Sequence, residues 1–145
     1  MLYTITSPTD KVFTFLTDDP VRPHIPAEKR YGTNKDIIYL SDEEKVKAIT
    51  CISYQDFIPQ AENDLFDIIK ADATVAVFYT IWSYESGAGR KLIFDSVKYI
   101  KDNLKNINRF VTLSPKTDMA FKFHTKNGAI LLRENPDTIN YEYLV

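Results

Sequence analysis

The stretch from Ala73 to Ser114 constrains the fold of this chain more than any other part of the sequence. It begins with ATVAVFYTIWSY, a run without charge that is rich in valine, isoleucine and aromatic residues. Such a run is typical of a strand that is covered on both faces of its sheet. The segments that follow are glycine-rich (ESGAGR), amphipathic (KLIFDSVKYIKDNLK) and strand-like (RFVTLS). This order predicts a right-handed unit of strand, helix and strand in which the two strands run parallel.

The glycine-rich segment is a candidate site for a phosphate group. Gly87 and Gly89 lack side chains where a ligand could come close to the backbone, while Ser86 and Arg90 can donate hydrogen bonds. The start of a helix carries partial positive charge and backbone N–H groups that hold anions. A glycine turn without a ligand is also common, so the prediction depends on the position of this turn between a strand and a helix. We expect these residues, together with Ala88 between the glycines, to hold a diphosphate.

Composition and charge narrow the classes of partner. The 145 residues suit a single domain, which we place at residues 1–145. The formal net charge of -2, with acidic and basic residues interspersed, gives no electrostatic reason to expect nucleic acid or a membrane as a partner. A lone cysteine, Cys51, excludes an internal disulfide and suits a reducing compartment. No apolar run suggests a signal peptide or a membrane span, so we expect a cytoplasmic protein.

A serine and a histidine beyond the second strand are candidates for catalysis. Ser114 ends that strand, and His124 lies within the next predicted helix, Thr117–Asn127. Both are expected to face the crevice where the two parallel strands end, which is the usual ligand site of an open α/β sheet. Imidazole also has a pKa that suits proton transfer near neutrality. The spacing leaves open a second interpretation, in which His124 is a helix-surface residue and Ser114 caps a turn.

The rest of the chain predicts further elements around this unit. They are a strand at Lys11–Leu16, a proline-rich loop at Asp19–Pro26, a hairpin of Asp36–Leu40 and Val46–Tyr54 around the turn SDEEK, a short helix at Asn63–Lys70, and a hairpin of Ile130–Arg133 and Ile139–Leu144. We interpret Asp19–Tyr31 as one wall of an acceptor pocket and Ile139–Leu144 as an edge strand that can pair across a homodimer. On the helix of His124, Met119 and Phe123 are expected to pack inward.

Other catalytic signatures are missing from the sequence. The His, Cys, Asp and Glu residues show no spacing typical of a metal site, so no metal is expected. There is no G-x-S-x-G elbow and no G-x-x-x-x-G-K-[ST] loop.

The segments ESGAGRKLI, FVTLSP and KFHTKNGA resemble the GNAT acyltransferase superfamily. The order of elements agrees over roughly Lys35–Val145, while the N-terminal part is abbreviated. The resemblance implies an α/β (α+β) fold, with a mixed central sheet that contains a parallel pair and is flanked by helices. It also implies a CoA thioester, acetyl-CoA or another acyl-CoA, as co-substrate. The diphosphate would lie at the glycine loop, and the thioester carbonyl would accept a hydrogen bond from a strand N–H near Trp82 to Tyr84.

The resemblance also assigns roles to single residues. In the family's loop pattern, Q/R-x-x-G-x-G/A, Gly87 and Gly89 match the glycines and Tyr84 occupies the Gln/Arg position. His124 stands where the family has its tyrosine general acid. The resemblance therefore implies that an amine attacks the thioester while His124 protonates the leaving thiolate.

A branch with this fold is similar over more of the sequence. TVAVFYTI, LIFDSVKYIKDNLK, FVTLSP, FHTKNGAILLREN and NYEY resemble segments of the catalytic domain of malonyl-CoA decarboxylase. In that family the serine of LSP and the histidine of FH-x-x-NGA are the catalytic pair, and they correspond to Ser114 and His124. The resemblance implies that Ser114 orients a malonyl carboxylate and His124 delivers a proton to the enolate. Lys116–Met119 replaces the I-P-G-F run of that family, and its long helical insertion is reduced to a single turn and helix.

The sequence therefore leaves three candidate functions. Acyl transfer from acyl-CoA to an amine comes first, because the short chain resembles the ordinary members of the superfamily. Decarboxylation of malonyl-CoA is the alternative, and the binding of an acyl-CoA without turnover is the third.

Overall fold

The computed structural model describes residues 1–5, 7, 10–43 and 45–145. The strands are β1 (Leu2–Thr4), β2 (Lys35–Asp42), β3 (Lys45–Gln55), β4 (Val75–Ser83), β5 (Arg109–Thr112), β6 (Ser114–Pro115), β7 (Ile130–Glu134) and β8 (Thr138–Tyr143). The helices are α1 (Ala88–Asn103) and α2 (Asp118–Lys126), with short 3₁₀ helices at Lys11–Asp18, Ala27–Lys29 and Glu62–Phe66. Within the described ranges, no helix combines the length and the apolar character needed to span a bilayer.

The strands form one mixed sheet in the order β1-β2-β3-β4-β5-β8-β6, and β7 pairs with the remaining edge of β8. β4 and β5 run parallel, from Val75 opposite Arg109 to Phe78 opposite Thr112. The strand–helix–strand unit predicted from the sequence is thus confirmed. Both predicted hairpins are confirmed as well, since β2 pairs antiparallel with β3 and β7 with β8. Glu44, in the predicted turn of the first hairpin, lies outside the described residues.

The parallel pairing ends before β4 does, and this positions the site. The register of β4 with β5 ends at Phe78, whose carbonyl accepts the N–H of Leu113, the residue after β5, at 3.2 Å. β4 then continues to Ser83, while the chain after β5 turns into β6, which pairs with β8. The two parallel strands therefore separate, and a cleft opens between them.

Each face of the sheet is covered by a different part of the chain. α1 packs on one face with Ile93, Val97 and Ile100 buried, as its amphipathic pattern dictates. The N-terminal segment covers the other face, where Val12 and Leu16 join the core. β4 is buried between these two layers, which explains its lack of charge.

Two predictions for the N-terminal half are wrong in part or in whole. Lys11–Asp18 is a 3₁₀ helix and not a strand, because Asp10 caps it by accepting the Val12 N–H at 2.9 Å. The helix predicted at Asn63–Lys70 is limited to the 3₁₀ turn Glu62–Phe66, and Ile68 is 92% exposed. In both segments a short apolar run fits more than one period, so the pattern alone does not decide between structures.

Two predictions for the C-terminal half also need correction. Met119 does not pack inward, because it is 82% exposed, whereas Phe123 is partly buried against the core as expected. The segment Ile139–Leu144 is not an edge strand, because β8 has β5 and β6 on one edge and β7 on the other. Pairing across a dimer through β8 is therefore blocked by strands of the same chain.

Candidate functional site

A cleft of about 620 Å³ lies where β4 and β5 separate. Its lining includes residues 78–83 of β4 and residues 113–115, which follow β5. α2 forms one wall, and Pro20 and Val21 of the N-terminal loop form another. The loop that was predicted as a pocket wall thus reaches the cleft through these two residues.

A β-bulge in β4 lies beside this cleft. The pairing with β3 passes from Thr80 opposite Cys51 to Phe78 opposite Ile52, so Tyr79 has no opposite residue. Tyr79 joins the core on the face away from α1, and Thr80 Oγ1 on the same face donates to a buried aspartate at 2.7 Å. Bulges increase the local twist and bend a strand. The bulge therefore turns β4 where it leaves β5, a feature that the sequence pattern did not reveal.

His124 lies in the α2 wall of the cleft and is only 5% exposed. Its Nδ1 is 2.7 Å from the Tyr143 hydroxyl, and its ring stacks on Tyr141 with 5.1 Å between the ring centres. Burial lowers the pKa of His124 to about 4, so the ring is neutral at physiological pH. Burial also raises the pKa of Tyr143, which keeps the phenol protonated. We therefore assign Tyr143 as the donor to Nδ1, which leaves the imidazole proton on Nε2.

Ser114 lines the same cleft as His124, so the structure brings the two predicted catalytic residues together. Its hydroxyl is 2.8 Å from the Thr112 hydroxyl, which also accepts the Tyr141 N–H at 3.1 Å. Ser114 is 4% exposed. The Ser114 hydroxyl is therefore oriented by its contact with the Thr112 hydroxyl at the end of β5.

The predicted phosphate turn is divided between a loop and a helix. Gly87 is the N-cap of α1 and has a φ of 80°, the left-handed conformation that glycine adopts without strain. Gly89 and Arg90 belong to the first turn of α1. A Cβ on Gly89 would lie 3.2 Å from the Phe123 ring, so this glycine lets α2 approach α1 at the edge of the cleft.

The side chain of Arg90 is held by groups of the protein. It donates to Asn127 Oδ1 at 3.0 Å, and its guanidinium carbon lies 5.0 Å from the centre of the Phe94 ring. The bond to Asn127 ties the start of α1 to the residue that ends α2. In this conformation Arg90 braces the two helices against each other.

Trp82 and Tyr84 take different positions at the end of β4. Trp82 lines the cleft, and its indole N–H donates to the Tyr84 hydroxyl at 3.0 Å. That hydroxyl donates in turn to Asp18 at 2.6 Å, and the Tyr84 main-chain N–H donates to the Lys47 carbonyl at 2.8 Å. The main-chain donor of Tyr84 is therefore already bonded, so a thioester carbonyl would have to use donors earlier in β4.

A smaller cavity of about 270 Å³ lies beside the start of α1. Ser86, Gly87 and Ala88 line it, together with the charged residues Lys47, Glu85 and Lys91. The predicted site residues are thus shared between two neighbouring cavities. Of the predicted cofactor-binding residues, Trp82 and Gly89 line the cleft with the predicted catalytic pair, Ser86, Gly87 and Ala88 line the smaller cavity, and Tyr84 and Arg90 line neither.

The sequence matches no family model and no curated protein. Among solved structures, the GNAT domain of an S. lividans protein matches with a TM-score of 0.66 and 12% identity, over 98% of this chain and 88% of that chain. The chain has the GNAT fold. The mixed sheet, parallel pair and flanking helices expected from the sequence are confirmed.

Two further structures share the GNAT fold. A Bacillus subtilis acetyltransferase in complex with CoA matches with a TM-score of 0.66 and 9% identity, over 97% of this chain and 95% of that chain. A malonyl-CoA decarboxylase from Agrobacterium vitis matches with a TM-score of 0.70 and 23% identity, over 94% of this chain. This chain spans only 38% of the length of that decarboxylase.

Proposed function

We propose that this protein is an acyl-CoA-dependent enzyme that transfers the acyl group to an amine. The observation that carries the proposal is His124, a neutral imidazole fixed by Tyr143 in the wall of a cleft between separating parallel strands. The solved acetyltransferase with bound CoA supports CoA as the carrier, because it has the same fold.

The two cavities suggest how the CoA thioester lies. We place the diphosphate at Ser86–Ala88, beside the positive end of the α1 dipole, although the Ala88 N–H itself donates to the Glu85 carbonyl at 3.2 Å. Lys47 and Lys91 line the same cavity and add positive charge, although Lys91 pairs with Asp95. Lys47 pairs with Asp42 and with Glu85, whose carboxylate also lines the cavity. The pantetheine arm then extends along β4 into the larger cleft, and the thioester comes to lie near His124.

The reaction uses a neutral imidazole. The amine attacks the thioester carbon, the carbon–sulfur bond breaks, and the proton lost by nitrogen ends on sulfur, so the products are an amide and free CoA. His124 donates a hydrogen bond from Nε2–H to the sulfur as negative charge develops there. The carbonyl oxygen accepts from main-chain N–H groups of β4 beyond Phe78, where pairing with β5 has ended. The rate comes mainly from holding both reactants in one cleft.

The lining of the cleft points to the kind of amine. Among the described residues that line it, none is Lys, Arg, Asp or Glu. An ammonium group in this site would lose water without gaining a carboxylate partner, which is costly. Pro20, Val21 and the exposed Met119 give the cleft apolar walls instead. We therefore propose an uncharged acceptor of low basicity, such as an aromatic amine.

The proposal is tested with acetyl-CoA and an aromatic amine, while the release of free CoA is followed with a thiol reagent. We expect turnover in the wild-type protein. Removal of the imidazole donor in His124→Gln is expected to lower kcat by about a hundredfold, with little change in the Kd for CoA. His24→Gln is the matched control, because His24 is an exposed residue paired with Glu62. A wild-type protein that does not bind CoA would contradict the proposal.

Decarboxylation of a malonyl thioester is the second candidate, and the shared position of Ser114 and His124 on one cleft favours it. In that reaction the bond to the carboxylate breaks, carbon dioxide leaves, and the α-carbon of the resulting enolate takes a proton from water. His124 Nε2–H would stabilise the enolate oxygen. The malonyl carboxylate would meet hydroxyl groups but no cationic side chain among the described lining residues, and for this reason we place the reaction second.

Incubation with malonyl-CoA separates the candidates. Acetyl-CoA formed without any amine, and lost in Ser114→Ala and His124→Gln, would establish decarboxylation. Binding of CoA esters without turnover in either assay would leave the third function, that of an acyl-CoA-binding protein.

A further inference from the structure

A buried ionic network lies against the β4 bulge on the sheet face opposite α1. Asp19 and Arg30 are 2% and 0% exposed and form an ion pair of 2.7 Å. Asp19 Oδ1 also accepts the Thr80 hydroxyl at 2.7 Å and the main-chain N–H of Arg22 at 2.9 Å. The network therefore bonds directly to the bulge and fixes the loop that carries Asp19.

Arg22 makes the second connection to the bulge. Its guanidinium donates to the main-chain carbonyl of Tyr79, the residue that has no opposite partner in β3. Its Nε forms an ion pair with Glu62 at 3.0 Å, and Arg22 is 4% exposed. The next carbonyl, that of Thr80, accepts the Thr50 hydroxyl at 2.8 Å. Side chains thus hold two successive carbonyls of the bulge.

The orientation of each of these carbonyls also determines the orientation of the main-chain N–H of the next residue. A trans peptide is planar, so its N–H points away from its carbonyl. Arg22 on the Tyr79 carbonyl therefore sets the direction of the Thr80 N–H, and Thr50 on the Thr80 carbonyl sets that of the Ile81 N–H. Thr80 and Ile81 both line the cleft.

Stability alone does not explain a buried network of this kind. The desolvation of buried charges offsets most of their attraction, and apolar side chains of similar size often serve as well. Pro20 and Val21, which form a wall of the cleft, lie between the two anchors Asp19 and Arg22. The same contacts thus fix the position of this wall relative to the bulge.

We infer that Arg22, supported by Asp19, is a positioning residue of the acyl-transfer site, which aims the main-chain donors of the bulge at the thioester carbonyl. This inference rests on the proposed function. Arg22 acts through the backbone of Tyr79 and Thr80 and does not touch the substrate.

The test compares Arg22→Gln with Arg109→Gln. Arg109 also forms an ion pair, with the buried Glu142 at 2.7 Å, but it lies at the opposite end of β5 from the cleft. Binding of CoA and of acetyl-CoA is measured by calorimetry. The carbonyl stretch of acetyl-CoA labelled with carbon-13 is measured by infrared difference spectroscopy. Arg22→Lys keeps the charge beside Glu62 but not the two-pronged donor, and it serves if Arg22→Gln does not fold.

In the wild-type protein and in Arg109→Gln we expect the carbonyl band to move to lower frequency on binding. In Arg22→Gln we expect the shift to be lost and the preference for acetyl-CoA over CoA to fall by about tenfold, with the CoA affinity retained. An unchanged carbonyl shift in both Arg22 variants would overturn the positioning role and leave the proposed function standing. A wild-type protein that binds neither compound would overturn both.

Discussion

The Tyr143 hydroxyl lies 2.7 Å from Nδ1 of His124, a contact between residues 19 positions apart in the chain. It joins β8 to α2, the helix that forms one wall of the cleft. Because one ring nitrogen accepts from the phenol, the other must carry the proton of the neutral ring. A single buried hydroxyl therefore decides which atom of His124 can donate to a substrate.

In Tyr143→Phe the hydrogen bond that selects the tautomer of His124 is expected to be lost. The buried Nδ1 would lose its donor, and the ring would be free to place its proton on either nitrogen. We expect kcat to fall by about tenfold with little change in the KM for acyl-CoA, and the free energy of unfolding to fall by about 1–3 kcal/mol. Initial rates and urea unfolding measure these changes, and the nitrogen-15 shifts of the ring report the tautomer.

Tyr141→Phe is the matched control for this substitution. Tyr141 stacks on the same imidazole, but its buried hydroxyl has no hydrogen-bond partner among the described residues. Its removal is expected to leave both rate and stability nearly unchanged. Equal losses in the two variants would show that ring packing, and not the hydrogen bond, positions His124.

Protein stability is expected to depend on pH through His124. The folded pKa of about 4 lies below the ordinary value of 6.5, so the unfolded chain binds more protons between these pH values. Stability therefore rises with pH through this window, and it is lost as the pH falls from 6.5 towards 4. The full effect corresponds to about 3 kcal/mol.

The measurement is the free energy of unfolding at several pH values for the wild type and for His124→Gln. The difference between the two proteins isolates the contribution of His124 from that of other titrating groups, such as Asp36, whose pKa is raised by burial. A wild-type slope in His124→Gln would contradict a buried neutral imidazole.

The sequence predicted the central unit because its signals are local. The uncharged run of β4, the glycine turn and the amphipathic pattern of α1 are each typical of one kind of element over their whole length. Ser114 and His124 reach one cleft because both follow the strand that pairs in parallel with β4. In open α/β sheets, ligands bind in the crevice at the carboxyl ends of the strands, so the order of the elements alone predicts that both residues lie at this crevice.

The features that the sequence did not reveal depend on distant partners. Arg22 bonds to the Tyr79 carbonyl across 57 positions of the chain, and a proline-rich loop gives no sign that its charges are buried. The bulge at Tyr79 leaves no mark in a run that is apolar on both faces. Met119 was misplaced because the periodicity of a short helix does not show which face meets the sheet.

Gly87→Ala tests the conformation of the turn before α1. With a φ of 80°, an alanine at this position is strained even though no atom lies within 4 Å of the new Cβ. We expect the free energy of unfolding to fall by about 1–2 kcal/mol. Gly87→Asn should cost less, because asparagine tolerates the left-handed region. Equal costs for alanine and asparagine in urea unfolding would argue against backbone strain.

Arg30→Met tests the buried ion pair beneath the bulge. Removal of the guanidinium leaves the Asp19 carboxylate buried without its cation, and such losses typically cost about 3–5 kcal/mol. Burial alone would raise the pKa of Asp19, but the hydrogen bonds from the Arg22 N–H, from Arg30 and from Thr80 outweigh it and lower the pKa. In the wild type this contribution is therefore present above the unfolded pKa of 3.8, and it is lost as the pH falls through the folded value.

In Arg30→Met the pKa of Asp19 is expected to rise, so acid unfolding should begin at a higher pH than in the wild type. The midpoint of acid unfolding, followed by circular dichroism, measures the shift. Lys91→Gln is the control, because both partners of the Lys91–Asp95 ion pair are exposed, at 65% and 37%, and the solvent weakens such a pair. Substitution of both Asp19 and Arg30 by apolar residues should restore part of the stability, since no unpaired charge remains. If the double variant were less stable than Arg30→Met, the carboxylate would have to stabilise the fold through Thr80 and the loop N–H groups and not through Arg30.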